Sequence, residues 1–319
     1  MKLLFFNDFR LGVLSGNNVV DVSEVVRDIP RCSPQDLIRG LIERFDSYRT
    51  TLEAAAEHSA SATPLADVRV RSPLPKPANI VCMAVNFLEN GTRPEPAPID
   101  AFQKSPLAVI GDGDTMVLPD IPASIFEGEA ELAVVIGKVT SDVTEEQAMD
   151  HVFGYTNFID GSARGLGGMN MFYRMKSRDT FASIGPFIVT ADEIADPQQL
   201  QVQLWNNGEL RQDFNTSDMA HSIKRCIAWV SSIHPLEAGD IIATGTNHRG
   251  LHAFQDGDRI ELEVQGLGRL HIAVRDDLKR RWPRETRGDR LARGIGANWI
   301  GQPPTQESGK YTPEPAATT

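Results

Sequence analysis

The chain has 319 residues, 41% of them hydrophobic and 24% charged, with a formal net charge of −11. This is globular composition in a length greater than one average domain needs, and the surplus of carboxylates argues against a phosphate-backbone partner. No apolar run approaches the ~20 residues of a membrane span, so the chain is expected to be a soluble, cytoplasmic protein with neither nucleic-acid nor membrane partner.

Residues 1–6 carry one lysine and an apolar stretch too short for a signal-peptide core, and read as a first strand. Strand-like runs over 10–14 and 18–22 follow, separated by the turn signal Ser15-Gly16-Asn17. Apolar residues at helical spacing from Pro34 to Phe45 predict a helix with proline in its first turn. An Ala-, Ser- and Pro-rich connector over 58–77 leads into short β-branched runs at 80–85, 132–136, 187–190, 240–244 and 259–264. Helices are expected at 144–149 and 219–230, and no glycine-rich dinucleotide loop is present. The reading is a β-rich α+β protein: a small N-terminal α+β domain over 1–75, a second domain over 76–282, and a C-terminal extension over 283–319. That extension is expected to be partly disordered, with a Pro-, Thr- and Ser-rich end from Gln302 that crosses the surface or is unstructured. The basic cluster Lys279-Arg280-Arg281 with Arg284 and Arg287 reads as a solvated segment. Cys32, Cys82 and Cys226 lie far apart and suggest neither zinc nor a disulfide framework, in keeping with a reducing compartment.

Glu127, Glu129 and Glu131 alternate directly before an apolar strand, so a period of two puts all three side chains on one face. Like charges this close repel, and such a strand either faces water or uses a cation to neutralise them. Asp160 follows in Phe158-Ile159-Asp160-Gly161-Ser162-Ala163-Arg164. The Glu129-Ala130-Glu131-Leu132 run, the Asp160 to Arg164 run, Lys176-Ser177 with Asp179, Gly185-Pro186, and residues 239–246 occur in the order of the fumarylacetoacetate hydrolase family, which the chain resembles over residues 78–280.

The resemblance implies a mixed β-roll catalytic domain, a homodimer, and a metal held by Glu129, Glu131 and Asp160. Three hard carboxylates suit Mg²⁺ or Mn²⁺, with Ca²⁺ as a further option, and do not suit zinc. Glu127 falls outside the family's pair and is expected to be solvated or to stand behind the ligands. The implied substrate is a 2-oxo or 2,4-dioxo acid, such as an acylpyruvate or an aromatic breakdown product, converted through a metal-stabilised enolate. Lys176 resembles the family's active-site lysine, whose removal should abolish turnover and leave metal affinity nearly unchanged. Thr246 is expected to face substrate as a catalytic and binding residue and Asn86 to bind it. Arg164 is expected to clamp a distal carboxylate, orient the loop or form a structural ion pair, and Gln212 and Asn215, in a segment shared with bacterial members, to serve the substrate or act as hydrogen-bonded loop residues.

The pattern breaks at the lid. Hydrolytic members carry a His and a Glu one helical turn apart that activate water, whereas this chain has Val85-Asn86-Phe87-Leu88-Glu89-Asn90-Gly91-Thr92-Arg93-Pro94 and no histidine between Cys82 and the glutamates. One alignment puts Asn90 and Arg93 at the pair; the preferred one deletes about one turn, ~3.6 residues, and keeps Glu89 as the lone acid. Replacement bases are Glu89, a metal-bound hydroxide, or His248 beside Thr246. The expectation is therefore a hydrolase acting on a C–C bond, with isomerase, tautomerase, decarboxylase, sugar-acid dehydratase or a non-catalytic metal-binding relative as alternatives.

Overall fold

The computed structural model, which describes residues 1–58, 62–296 and 301–313, gathers the β-branched runs into two sheets. The larger has 12 strands. Its path runs Thr63–Pro64, Asn18–Asp21, Arg10–Ser15, Lys2–Phe6, Ala182–Thr190, Val152–Arg164, Ile125–Ile136, Ile241–Ala243, Ile80–Met83 and Ala101–Lys104. Immediately after this last edge strand, Val109–Ile110 pairs parallel to Ala182–Ser183, so the edge is folded back onto the middle of the sheet. The result is the β-rich α+β roll expected from the sequence. A five-stranded sheet, Glu209–Asn215, Gln201–Asn206, Arg259–Val264, Arg269–Arg275 and Thr115–Val117, lies beside it.

The N-terminal strands extend the large sheet, with Lys2 opposite Val189 and Leu3 opposite Ile188. Helix Pro34–Glu43 starts where the Ser33 side chain accepts from the Asp36 backbone N–H, and it buries Leu37, Ile38, Leu41 and Ile42. A second helix, Phe45–His58, follows at once; its more polar sequence gave no strong period. The helix expected over 219–230 begins later, at Ile223, because Ser222 caps it and the backbone N–H groups of Ala220 and His221 are drawn to Asn86. No helix among the described residues is long and apolar enough to cross a membrane.

The basic cluster splits: Lys279, paired with Asp256, and Arg281 are exposed as the solvated reading expects, whereas the others depart from it. Arg280 is fully buried: its guanidinium donates to both Asp276 oxygens and to the backbone oxygens of Ile121 and Pro119, above the Phe126 ring. Arg284 pairs with Asp258, and Arg287 is buried as well. Each guanidinium has enough donors to satisfy a carboxylate and neighbouring carbonyls, which is what lets it leave water. Residues 301–313 run over the surface, pinned by Lys310 on Asp120 and by a bridge between Arg281 and Ser308. The end of the expected disordered stretch, 314–319, lies outside the described residues.

Candidate functional site

The strand Ile125–Ile136 is buried on both faces, unlike a solvated strand end. Its partner Val152–Arg164 runs antiparallel with Glu129 directly opposite Asp160, so the pleat gathers Glu127, Glu129, Glu131, Asp160 and Arg164 on one side. Ligand oxygens of Glu129, Glu131 and Asp160 all lie within 4.8 Å of one another, and all three residues are buried. The donor set is carboxylate oxygen only, with no nitrogen or sulfur, and fits a hard divalent cation.

Cations thread between these carboxylates. Lys176, at the end of the short helix Met171–Lys176, donates from Nζ to Glu129 Oε2 (2.8 Å) and Asp160 Oδ2 (2.6 Å). Its ammonium lies 5.1 Å from the centre of the Phe102 ring, which stacks in turn on Phe172. Lys104 is also fully buried and donates to Asp160 Oδ1 (2.5 Å) and to the backbone oxygens of Gly161 (3.1 Å) and Lys176 (2.5 Å). Arg164 bridges Glu127, through Nε at 2.9 Å, and Glu129, through Nη2. Burial alone would raise the Glu129 carboxyl, but Lys176 and Arg164 outweigh it and hold the group well below the usual range. Glu131 lacks such a partner. Burial, then repulsion from Asp160 and Glu129, pushes it well above the usual range. For Lys176, attraction to Asp160 and Glu129 outweighs burial and raises its pKa.

A second constellation forms beside the first. Ile241–Ala243 pairs parallel to Ile80–Met83, with Ala243 opposite Cys82, so the loops that follow both strands leave the same end of the sheet. Parallel pairing thus brings Glu89 and His248 together despite their separation in sequence. Glu89 is fully buried; its Oε1 lies 2.6 Å from His248 Nδ1, and its Oε2 accepts the His248 backbone N–H at 2.9 Å. A ring that donates Nδ1–H to this carboxylate carries its other lone pair on Nε2. The Glu89 loop is held in an uncommon conformation, with Val85, Glu89 and Asn90 all at positive φ. Asp218 fixes it by accepting from the backbone N–H of Leu88 through its carbonyl and of Asn90 through its carboxylate. Of the other candidates for the lid pair, Asn90 accepts from Asn247, and Arg93 Nε donates to the backbone oxygen of Glu95.

The Thr246 loop is tied to the carboxylates. Gly245 adopts φ +87°, and its N–H donates to Glu131 Oε2 at 2.7 Å; a Cβ there would come within 3.1 Å of the Asn86 side chain. Gln212 Nε2 donates to Thr246 Oγ1 (2.8 Å) and to the Asn247 backbone oxygen (2.9 Å), while its Oε1 accepts from Ala130 N. Asn86 donates to the backbone oxygens of His221 and Thr244 and accepts from His221 N. Both amides are therefore engaged in holding the loops around the site. Asn215 caps the short turn Thr216–Asp218 and lies in its loop.

Two contributors were not singled out from sequence. Lys104 stands two residues after Phe102, and a lone lysine near one aromatic residue was the available signal. Arg287 donates to Glu127 from Nε (2.9 Å) and Nη2 (2.6 Å); the only hint was that a third glutamate on one face needs a counter-charge.

Residues 79–275 match the family model described as "Fumarylacetoacetate (FAA) hydrolase C-terminal". The chain is 32% identical over 291 residues to maleylpyruvate hydrolase from Aquipseudomonas alcaligenes, covering 86% of this chain and 99% of that protein. It is 39% identical over 219 residues to oxaloacetate tautomerase YisK from Bacillus subtilis, covering 65% of this chain and 73% of the relative. Among solved structures it resembles maleylpyruvate hydrolase from Sphingobium sp. SYK-6 in complex with manganese(II) and pyruvate, with a TM-score of 0.78 and 36% identity over 86% of this chain and 99% of the other. With the family model spanning most of the roll and a maleylpyruvate hydrolase aligned along nearly its whole length, the chain that builds this carboxylate cluster belongs to the fumarylacetoacetate hydrolase family.

Proposed function

We propose that the protein is a divalent-metal-dependent hydrolase that cleaves a C–C bond in a 2,4-dioxo acid related to maleylpyruvate. The observation that carries this reading is the Glu89–His248 pair beside three converging carboxylates. Glu129, Glu131 and Asp160 would hold Mg²⁺ or Mn²⁺, which supplies Lewis-acid polarisation of the 2-oxo acid's carbonyl.

The rest of the chemistry falls to side chains of the chain. Glu89 fixes the ring and tautomer of His248 and stabilises its imidazolium, so that Nε2 accepts a proton from the water that adds to the distal ketone. As the C–C bond breaks, its electron pair goes to the pyruvate-side carbon. Lys176 then offsets the negative charge on that fragment, and His248 returns the proton. Arg164, on Glu129, and Thr246, beside the Gly245 whose N–H holds Glu131, are the candidates for binding the substrate. Gln212 and Asn86 keep the Thr246 and Glu89 loops in register.

The likeness to an oxaloacetate tautomerase favours a second reading, enol–keto conversion through the same centre without activated water. Product analysis separates the two. Manganese-loaded protein is incubated with maleylpyruvate, an acylpyruvate and oxaloacetate: two acids signify hydrolysis, and an isomer of unchanged formula signifies tautomerisation. Glu89→Gln and His248→Phe should each lower cleavage by ~10²-fold or more. Full cleavage in both variants would refute the role of the pair.

A further inference from the structure

Glu127, Glu129 and Glu131 share one strand face, yet only Glu129 and Glu131 converge with Asp160. The difference lies in what Glu127 already holds. Its carboxylate is fully buried and accepts two hydrogen bonds from Arg287, one on each oxygen, and a third from Arg164 Nε. Arg164 then reaches on to Glu129 through Nη2.

Arg287 comes from the C-terminal extension and is only 7% exposed. It opens the helix Arg287–Ala292, capped by Thr286 and Asp289, and its backbone N–H donates to the Leu251 oxygen at 2.9 Å. The approach is tight. A Cβ on Gly288 would lie 2.9 Å from the Arg249 oxygen, and one on Gly301 would lie 2.3 Å from the Arg287 oxygen. Arg284 on Asp258 and Trp282 on the Ser124 oxygen anchor the segment upstream.

We infer that Arg287 is a positioning residue that serves as a built-in counter-ion for Glu127. By occupying both oxygens it keeps Glu127 from acting as a ligand, limits the metal centre to three carboxylates, and leaves Arg164 able to bridge Glu127 and Glu129. Arg287 thus does for the third glutamate what a divalent cation would do for the other two. The inference rests on Glu129, Glu131 and Asp160 being the metal ligands.

The test is calorimetric titration of the full chain with MnCl₂ at pH 7.5, with unfolding midpoints measured alongside. Removing the positive charge by Arg287→Met leaves a buried carboxylate under-compensated near the ligands. Mn²⁺ should therefore bind about tenfold more tightly, or a second Mn²⁺ should appear, while turnover falls. Arg287→Lys, which keeps the charge and guards against a variant that fails to fold, should show no gain. The double variant Arg287→Met with Glu127→Gln removes one charge of each sign and should return to within about threefold of wild type. A residue that merely braces the fold would give the opposite signature, a lower unfolding midpoint with unchanged or weaker Mn²⁺ binding, and that result in Arg287→Met overturns the proposal. If the wild-type protein binds no Mn²⁺, the metal-centre reading fails as well; if it binds normally and the variants do not differ, only the role of Arg287 falls.

Discussion

Lys176→Met separates the metal centre from its chemistry, and the structure changes what that variant should show. The sequence implied that metal affinity would barely move. In the folded chain, however, the ammonium donates to Glu129 at 2.8 Å and to Asp160 at 2.6 Å, so it competes for two of the three proposed ligands. Two unit charges ~4 Å apart interact by about 4 kcal/mol at an effective dielectric of ~20, and a divalent ion doubles the repulsion it feels. Reorganisation of the freed carboxylates and incoming water offset much of this, leaving a net gain in Mn²⁺ affinity of at least about tenfold. Turnover should move the other way, falling ~10²–10³-fold as a donor aimed at developing negative charge is lost. Methionine keeps the apolar stem over Phe102, so the fold should persist. Calorimetry gives the affinity, and steady-state kinetics at saturating Mn²⁺ give kcat. Unchanged or weaker Mn²⁺ binding together with a retained kcat would refute both halves of the reasoning.

Glu131→Ala and Asp160→Ala should each reduce Mn²⁺ affinity and turnover together, because a centre of three carboxylates has little redundancy; wild-type binding in both variants by calorimetry would place the metal elsewhere. His252 gives a pH-dependent stability. Fully buried, its Nδ1 faces the Gly250 oxygen and its Nε2 the Asn206 amide, and burial pulls its pKa from 6.5 down to about 4. The unfolded state therefore binds the proton more tightly, and stability drops as pH falls from about 6.5 to about 4, at ~1.4 kcal/mol per pH unit and by about 3 kcal/mol in all. Urea unfolding of wild type and His252→Gln across that window should converge toward acid, and parallel curves would contradict it.

The β-rich roll was legible from the short β-branched runs, while Glu129, Glu131, Asp160 and Lys176 were named from their places in the family's motifs, and the structure brings these four side chains together. What escaped depends on contacts that sequence spacing does not encode. Glu89 and His248 were named separately, but only the parallel pairing of Ile80–Met83 with Ile241–Ala243 makes them a pair. Lys104 reaches Asp160 only because the sheet rolls its edge strand back over its centre. Asn86 and Gln212 were expected to bind substrate, and in the structure their amides are directed at backbone and Thr246, a geometry that residue type cannot reveal. Arg287 was read as solvated because a run of basic residues usually is; a buried carboxylate far away in the chain decided otherwise.

These contacts form one row of alternating charge: Lys104, Asp160, Lys176, Glu129, Arg164, Glu127, Arg287. Each inner member lies between two of opposite sign, so none can be altered without changing what its neighbours face. This explains why losses at two well-separated positions, Lys176 and Arg287, are expected to act in the same direction on a bound cation. It also explains the choice of arginine at 164. Its planar guanidinium gives Nε to Glu127 and Nη2 to Glu129 from two separate nitrogens held in one fixed fork. Glu131 stands outside the row, held by a backbone N–H from Gly245, and it is the carboxylate whose charge is least compensated by the protein. The fold therefore balances every carboxylate of the cluster with a cationic side chain except one, and that one faces the two ligands nearest to it in space.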